Sequence, residues 1–330
     1  MKLHQLIKKF NYLKRIFSAY IIQKDSPISF WHSSNKISDN INVESLDIYY
    51  MEFFEKGNYR KYLDKDNIPM LNYYGDIGVQ YNPIAISQFG LGNFNLYKKN
   101  KDKKNKELFI ACSDWLVSNI RKNKKGVWVW MHNFDFEYKE ILQSPWYSGL
   151  AQGQGISLLV RAYKETNERK YLDTAEKAYN SFLTTVENGG VTYISENQEK
   201  WIEEYITQYN THILNGFIWA IWGVYDYWLL NPSDKNRLDL FHSFNKTILN
   251  NLDRYDNKFW SFYELSNNKI GMIASHFYHD LHINQLEIMY ILTSEKKYLT
   301  YSKRWKKYQK SILNRTIALI TKIISKIFYY

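Results

Sequence analysis

WIEEYITQYNTHILNGFIWAIWGVYDYW, residues 201–228, is the stretch that decides the fold. Its second half is strongly apolar, and the apolar positions recur at three- and four-residue steps, which is the spacing of a helix. Asn215-Gly216 would favour a hairpin between alternating strands, but here the flanking residues have helical spacing. We therefore predict a polar segment, residues 203–209, followed by a buried helix.

Helical patterns continue on both sides of this stretch. They cover residues 81–100, 107–123, 148–166, 171–185, 211–230, 237–252, 279–293 and 297–313. Asn82 is the predicted N-cap of the first, with Pro83 at its first position. Residues 126–138 alternate and predict a strand. The lysine-rich residues 98–106 predict a solvated connector.

Longer apolar helices alternate with shorter polar ones, which predicts a mainly α fold. Within this class we expect an α/α toroid, an incomplete barrel of paired helices around a cavity, over residues 81–312. Residues 1–24 predict a basic amphipathic helix. Residues 25–80 predict an irregular part with a short helix near 45–54 and a small hairpin. Residues 313–330 predict an amphipathic C-terminal helix.

The composition limits the function. Aromatic residues make up 18% of the chain, including 29 Tyr and 11 Trp, which fits stacking on sugar rings or a simple compositional bias. Cys112 is the only cysteine, so neither a disulfide framework nor a cysteine metal site can form. The net charge of +11 lies at the two ends, since the remainder of the chain is near neutral. No nucleic-acid-binding module is recognisable.

Both ends could bind a membrane surface. The last helix has Leu313, Ile317, Ile320, Ile324 and Ile327 on one face and Arg315, Lys322 and Lys326 on the other. These cations disfavour a spanning helix, whereas a helix lying on an anionic membrane or packed on the body fits equally well. No secretory signal is apparent. We expect a cytoplasmic protein, peripheral at the inner face of the membrane; a homodimer stays open.

Five ordered motifs resemble one known family. They are YNPIAISQFGLGNFNLY (81–97), WYSGLAQGQGISLLVRAY (146–163), WIEEY with ILNGFIWAIWGVYD (201–226), FWSFYEL (259–265) and FYHDLHINQLEIMY (277–290). Together they resemble the catalytic region of the glucuronyl C5-epimerases, over about residues 70–312. The resemblance implies an α/α toroid, an acidic, uronate-containing polysaccharide as partner, and no cofactor. Ile206 stands where the family has proline.

Inverting C5 of a hexuronate removes a proton next to a carboxylate and returns one to the opposite face, so each face needs an acid/base group. The resemblance assigns catalysis to Tyr205, Tyr263 and Tyr278, which we expect to surround the reacting carbon. Glu204 is a candidate proton acceptor or an orienting group for the Tyr205 phenol. Ser266 replaces a family arginine, which puts a heavily sulfated substrate in doubt.

Further polar side chains in these motifs are candidates for binding substrate. They are Gln88, Asn93, Gln152, Gln154, Glu203, His279, His282, Asn284 and Gln285. His279 and His282 share a helix face, but no third ligand is indicated, so we expect no metal site. Gly153 and Gly155 predict close approach of a backbone or a sugar, or tight helix packing. For Arg161 a buried salt bridge is the preferred prediction.

Three functions stay open at this point. The first is a cofactor-independent C5-epimerase converting D-glucuronate-type to L-iduronate-type residues within a polysaccharide. The second is a lyase on a similar toroid, which would start with the same proton loss and then expel the 4-linked sugar. The third is a non-catalytic, membrane-attached glycan-binding protein, against which the Glu-Glu-Tyr and Tyr-His motifs weigh.

Overall fold

The structure is a computed structural model that describes residues 30–73, 75–266 and 271–329, with side chains described as far as Ser325. The helix predicted over residues 1–24 lies outside this description. The chain forms two compact units, one of residues 34–250 and one of residues 251–330 with residues 1–33. The division at residues 80 and 312 expected from sequence stays a prediction.

The unit 34–250 is built mainly from paired helices. They are α1 (Phe54–Gly57), α2 (Pro83–Asn100), α3 (Lys103–Asn119), α4 (Gly149–Thr166), α5 (Arg169–Leu183), α6 (Leu214–Trp228) and α7 (Lys235–Asn251), the last ending at the boundary. Helices α2, α4 and α6 are buried along most of their length, whereas α3 and α5 bury one side only. This alternation confirms the predicted pairing of apolar and polar helices.

Helices α4 and α6 pack with their backbones in close approach. A Cβ atom at Gly153 would collide with the backbone of Ala220, and one at Gly223 would collide with the backbone of Gly153. Gly155 instead faces the ring of Trp130. The glycines of the Ala-Gln-Gly-Gln motif are therefore explained by packing within the protein, and a sugar is not needed to account for them.

A buried ion pair also joins α4 and α6. The guanidinium of Arg161 donates to Asp226 Oδ2 at 2.6 Å, and both side chains are fully buried. Tyr50 donates its hydroxyl to Asp226 Oδ1 at 2.6 Å, and Arg161 also donates to the carbonyls of Ser157 and Ile48. The preferred prediction for Arg161 is confirmed.

Short antiparallel strands connect the helices. In chain order they are β1 (Met70–Asn72), β2 (Val79–Tyr81), β3 (Ile120–Lys122), β4 (Trp128–His132), β5 (Phe136–Glu137), β6 (Ile141–Leu142), β7 (Trp146–Tyr147), β8 (Thr192–Ile194) and β9 (Lys200–Ile202). They pair as β1-β2, β3-β4-β7, β5-β6 and β8-β9. The hairpin expected before residue 80 is β1-β2, and the strand predicted over 126–138 is split between β4 and β5.

The helix predicted near residues 45–54 is wrong. This segment is held in a non-helical conformation by a side chain of α2, because Asn95 Oδ1 accepts from the Tyr49 N–H and Asn95 Nδ2 donates to the carbonyls of Tyr49 and Met51. Of the predicted helix, only Phe54 overlaps the observed helix α1. A buried asparagine thus supplies the hydrogen bonds that a helix would have made internally.

The connector predicted over residues 98–106 is also wrong. Helix α2 continues to Asn100, and α3 begins at Lys103. Lys101 takes a left-handed conformation, and the Asp102 side chain caps α3 by accepting from the Lys104 N–H at 3.0 Å. Lysine is a good helix former, so two residues suffice for the turn. The Asn82 N-cap, by contrast, is confirmed.

The other unit holds α8 (His276–Thr293), α9 (Lys296–Lys310) and α10 (Ile312–Tyr329). Between residue 252 and α8 the chain makes short bridges around Trp260, whose indole N–H donates to the Ala274 carbonyl at 3.0 Å. Trp260, Ile273 and Ala274 form a core with Ala318 and Leu319 of α10. The last helix therefore packs on this unit through Ala318, Leu319 and Ile323.

Candidate active site

The polar segment between β9 and α6 is organised by Glu203. This carboxylate is 1% exposed, and its Oε2 accepts from the backbone N–H groups of Thr211 and His212, both at 3.2 Å. Its Oε1 lies 2.5 Å from Nδ1 of His212, a residue with a left-handed φ of 49°. Glu203 therefore holds residues 203–212 in a closed loop, and its predicted contact with substrate stays a prediction.

Glu204 lies beside Gly216 at the start of α6. A Cβ atom at Gly216 would coincide with the Glu204 carboxylate, so this glycine of the Leu-Asn-Gly-Phe motif makes room for the carboxyl group. Burial raises the pKa of Glu204 to about 8, an effect that a hydrogen bond with the Tyr205 side chain partly opposes and the charge of Glu203 enhances. At neutral pH this carboxyl group is therefore mainly protonated.

Tyr205 is half-buried in a group of aromatic rings. Its ring centroid lies 4.7 Å from that of Tyr138, 5.7 Å from Trp146 and 5.8 Å from Phe136. These contacts come from residues 136–147, in and beside strands β5 and β7, and they hold the phenol next to the Glu204 carboxyl group. The structure thus brings together an acid and a phenol that are adjacent in sequence, with the phenol packed against three aromatic rings.

His132, which is not among the residues predicted from sequence, packs against this aromatic group through Trp146. Its ring stacks on Trp146 at 3.7 Å with an interplanar angle of 4°, and burial lowers its pKa to about 3. A neutral imidazole at this place contributes packing against Trp146, which in turn contacts Tyr205. An isolated histidine at the end of the alternating residues 126–132 was the available sequence signal.

The structure also brings Tyr263 and Tyr278 together, within the unit of residues 251–329. Their ring centroids are 5.0 Å apart in an edge-to-face arrangement, and both side chains are half-buried. Tyr278 lies in the first turn of α8, where its backbone N–H donates to Ser275, the N-cap. Helix N-termini favour negative charge, so a phenol at this position suits a group that becomes ionised during a reaction.

His279 and His282 lie on the buried side of α8. His279 Nδ1 accepts from the Ser261 N–H at 3.1 Å, its Nε2 lies 3.1 Å from the Trp305 carbonyl, and its ring stacks on Trp260 at 3.8 Å. His282 Nδ1 lies 3.0 Å from Ser261 Oγ. Burial lowers both pKa values, that of His282 to about 3. These neutral histidines attach α8 to its neighbours, and their predicted contact with substrate stays a prediction.

The helical amides predicted to bind substrate are used for packing. Gln152 Oε1 accepts from the Trp130 N–H at 3.0 Å and its Nε2 donates to the Trp128 carbonyl. Asn93 donates to the Phe89 carbonyl and accepts from Asn105. Gln88 donates to Gln154 at 3.0 Å, with both side chains at most 1% exposed. A contact of these four residues with substrate stays a prediction.

Two candidates on α8 keep their status as predictions. Asn284 is half-buried and Gln285 is buried, one turn or more beyond Tyr278 along the helix. Within the described parts of the chain, no group of three or more His, Cys, Asp or Glu side chains is arranged to hold a metal ion.

A comparison with solved structures identifies the class of fold. The structure of cellobiose 2-epimerase from Spirochaeta thermophila, an α/α toroid, matches with a TM-score of 0.51 and 10% sequence identity, covering 90% of this chain and 85% of that one. At this identity the match supports the fold alone. It confirms the predicted mainly helical class, whereas the incomplete form of the toroid and the N-terminal part stay predictions.

The family follows from sequence. A family model described as D-glucuronyl C5-epimerase C-terminus matches residues 121–307. An uncharacterized protein of Methanocaldococcus jannaschii is 30% identical over 263 residues, 73% of this chain and 82% of that protein. D-glucuronyl C5-epimerase of Caenorhabditis elegans is 27% identical over 316 residues, 88% of this chain and 49% of that enzyme. The chain belongs to the D-glucuronyl C5-epimerase family, and it spans about half the length of the nematode enzyme.

Proposed function

We propose that this protein is a C5-epimerase that converts D-glucuronate-type residues of a polysaccharide into L-iduronate-type residues without a cofactor. The observation that carries the proposal is the pairing of a buried carboxyl group, Glu204, with the half-exposed phenol of Tyr205. The Tyr263–Tyr278 pair supplies a second phenolic group. Family membership supports the reaction class.

The chemistry requires two protonation states at once. A base removes the C5 proton, and an acid then delivers a proton to the opposite face. We assign these tasks to Tyr205 and Tyr278, one as phenolate and one as phenol. After each turnover their protonation states are reversed, so the former base must release a proton to solvent and the former acid must take one up before the next cycle. Tyr263 contacts Tyr278 edge-on and positions its ring.

Glu204 supplies the ionisation that a tyrosine base needs. A free phenol has a pKa of about 10, so only about one in a thousand is ionised at neutral pH. In its ionised form the Glu204 carboxylate can accept the Tyr205 proton, and the phenolate formed in this way then removes the C5 proton. Since the pKa of Glu204 is about 8, this form becomes dominant only in mildly alkaline solution.

The residue that replaces the family arginine favours an unsulfated substrate. Ser266 donates its hydroxyl to the carboxylate of Glu264, whose side chain is 2% exposed. A hydroxyl group held in this way provides no positive charge for a sulfate group. We therefore propose an unsulfated uronate polymer of the heparosan type as substrate.

Incubation with heparosan in heavy water tests the function. We expect deuterium to appear at C5, together with iduronate signals in the NMR spectrum, while the polymer length and the ultraviolet absorbance stay constant. Growing absorbance with a shortening chain would identify a lyase instead. Retained binding without any deuterium incorporation would identify a glycan-binding protein.

The pH dependence tests Glu204. We expect the rate of epimerisation to rise with pH through about 8, because only the ionised carboxyl group accepts a proton. The variant E204Q should lose this rise and at least about 100-fold in rate. The exposed Glu196 is a matched control, and E196Q should keep both the rate and the profile. An unchanged profile in E204Q would exclude Glu204 as the proton acceptor.

The same carboxyl group makes a prediction for stability. The pKa of Glu204 is higher in the folded chain than its ordinary value of 4.5. The protonated form therefore stabilises the fold at low pH, and this contribution is lost as the pH rises through about 8. In urea titrations above that pH, E204Q should unfold at a higher urea concentration than the wild type. The variant would then lose activity while it gains stability, so the loss of activity could not be due to unfolding.

A further inference from the structure

Helix α10 leaves its most apolar face exposed. Leu313, Ile317, Ile320 and Ile324 recur at steps of four, three and four residues, and they are 68%, 36%, 51% and 40% exposed. Ile312, at the start of the helix, is 69% exposed. We call these five residues the aliphatic stripe. Over about three helical turns the stripe presents a continuous row of branched side chains to solvent.

The inward face of the same helix is packed against its unit. Ala318, Leu319 and Ile323 contact the core of Trp260, Ile273 and Ala274. The cationic side chain of Arg315 is only 8% exposed. Lys322 donates through Nζ to the Ile273 carbonyl at 2.9 Å. The helix is therefore attached to its unit mainly by residues outside the aliphatic stripe. Leu313 and Ile320 of the stripe are 68% and 51% exposed, so they contribute little to this attachment.

The charge around the stripe restricts what can cover it. Residues 301–330 contain eight Lys and Arg residues and no acidic residue. Lys303, Lys307 and Lys310 are exposed on α9 and directly precede the stripe in the chain. Two segments of the chain itself could in principle cover the stripe. The first is the same helix of a second copy, which would bring this cationic segment against itself. The second is residues 1–24, which carry six Lys and Arg residues and no acid. Each would be repelled by the like charge, whereas an anionic surface would be attracted.

We propose that the aliphatic stripe of α10 inserts into the interface of an anionic lipid membrane, with the lysines at the end of α9 over the phospholipid headgroups. Aliphatic side chains on one face and cations beside them are the two features that bind helices to such interfaces. In the described part of the chain, no helix is both long and apolar enough to cross a bilayer. The apolar face and the adjacent cations of α10 favour a helix that lies in the membrane surface.

Sedimentation with vesicles tests this inference. The full chain should bind vesicles of phosphatidylglycerol and phosphatidylcholine, and at least about tenfold less tightly those of phosphatidylcholine alone. The variant L313S/I317S/I320S/I324S should lose at least about tenfold in binding to the anionic vesicles. The control I141S/L183S removes two aliphatic side chains that are 64% and 60% exposed elsewhere, and it should bind like the wild type.

Two further measurements make the outcome decisive. Circular dichroism and the melting temperature should be unchanged in the stripe variant, because its side chains are exposed. High salt should release the wild-type chain from anionic vesicles. Equal binding of the stripe variant and the wild type would overturn the proposal. A second result would also overturn it: neither protein binds vesicles, and the wild-type chain forms a dimer that the stripe variant does not form.

Discussion

Replacing Tyr205 or Tyr278 by phenylalanine is expected to lower the rate of C5 inversion by about 10²–10⁴-fold, the usual contribution of a general acid or base. Phenylalanine keeps the ring contacts of Tyr205 with Tyr138 and Trp146, and that of Tyr278 with Tyr263. The change therefore removes the reacting hydroxyl group and leaves the packing intact. The measurement is the initial rate of iduronate formation from heparosan by NMR.

Each variant has a matched control. Tyr209 is 76% exposed in the same loop as Tyr205, and Tyr290 is half-buried on the same helix as Tyr278. Y209F and Y290F should retain the wild-type rate. If Y205F or Y278F turned over at the wild-type rate, the corresponding residue would have no part in the mechanism, although the function itself would stand.

The largest effect on stability is expected at the buried ion pair. D226A leaves the Arg161 guanidinium, which is fully buried, without its carboxylate, and Tyr50 loses its acceptor. Removing one partner of such a pair costs about 3–5 kcal/mol of the free energy of unfolding. The urea concentration at which the tryptophan fluorescence changes should therefore fall markedly.

An exposed pair serves as the control for this loss. Arg169 and Asp173 lie 3.4 Å apart with side chains that are 72% and 50% exposed, and D173A should cost no more than about 1 kcal/mol. The double variant R161M/D226L should be destabilised by less than the sum of R161M and D226L, since it removes both charges together. A D226A midpoint close to that of D173A would show that the buried pair contributes little.

Most of the helices were predictable because their signals are local. The three- and four-residue apolar steps of residues 213–225 and the Asn82 N-cap depend on neighbours in sequence, and both predictions hold in the structure. The segment 45–54 was not predictable in this way. Its conformation is set by Asn95, more than forty residues away, whose amide replaces the hydrogen bonds of a helix.

In the candidate site, too, some features were predictable from the local sequence, and others depend on residues that are distant in the chain. The sequence motifs identify Glu204 and Tyr205 as neighbours, and the close approach of Tyr263 and Tyr278 agrees with their expected association. The roles of Gln152 and Asn93 could not be read from sequence, because the partners that bury their amides come from other elements. His132 was missed since its stacking on Trp146 appears only in three dimensions.

The most direct test of the central claim, that Tyr205 and Tyr278 serve opposite faces of one sugar carbon, is proton exchange by the two phenylalanine variants. Deuterium incorporation at C5 would be measured separately with a glucuronate polymer and an iduronate-rich polymer in heavy water. A variant that cannot invert can still exchange the hydrogen on the face that its remaining tyrosine serves. We predict that Y205F exchanges one polymer and Y278F the other. Exchange of the same polymer by both variants, or inversion by either at the wild-type rate, would contradict the account.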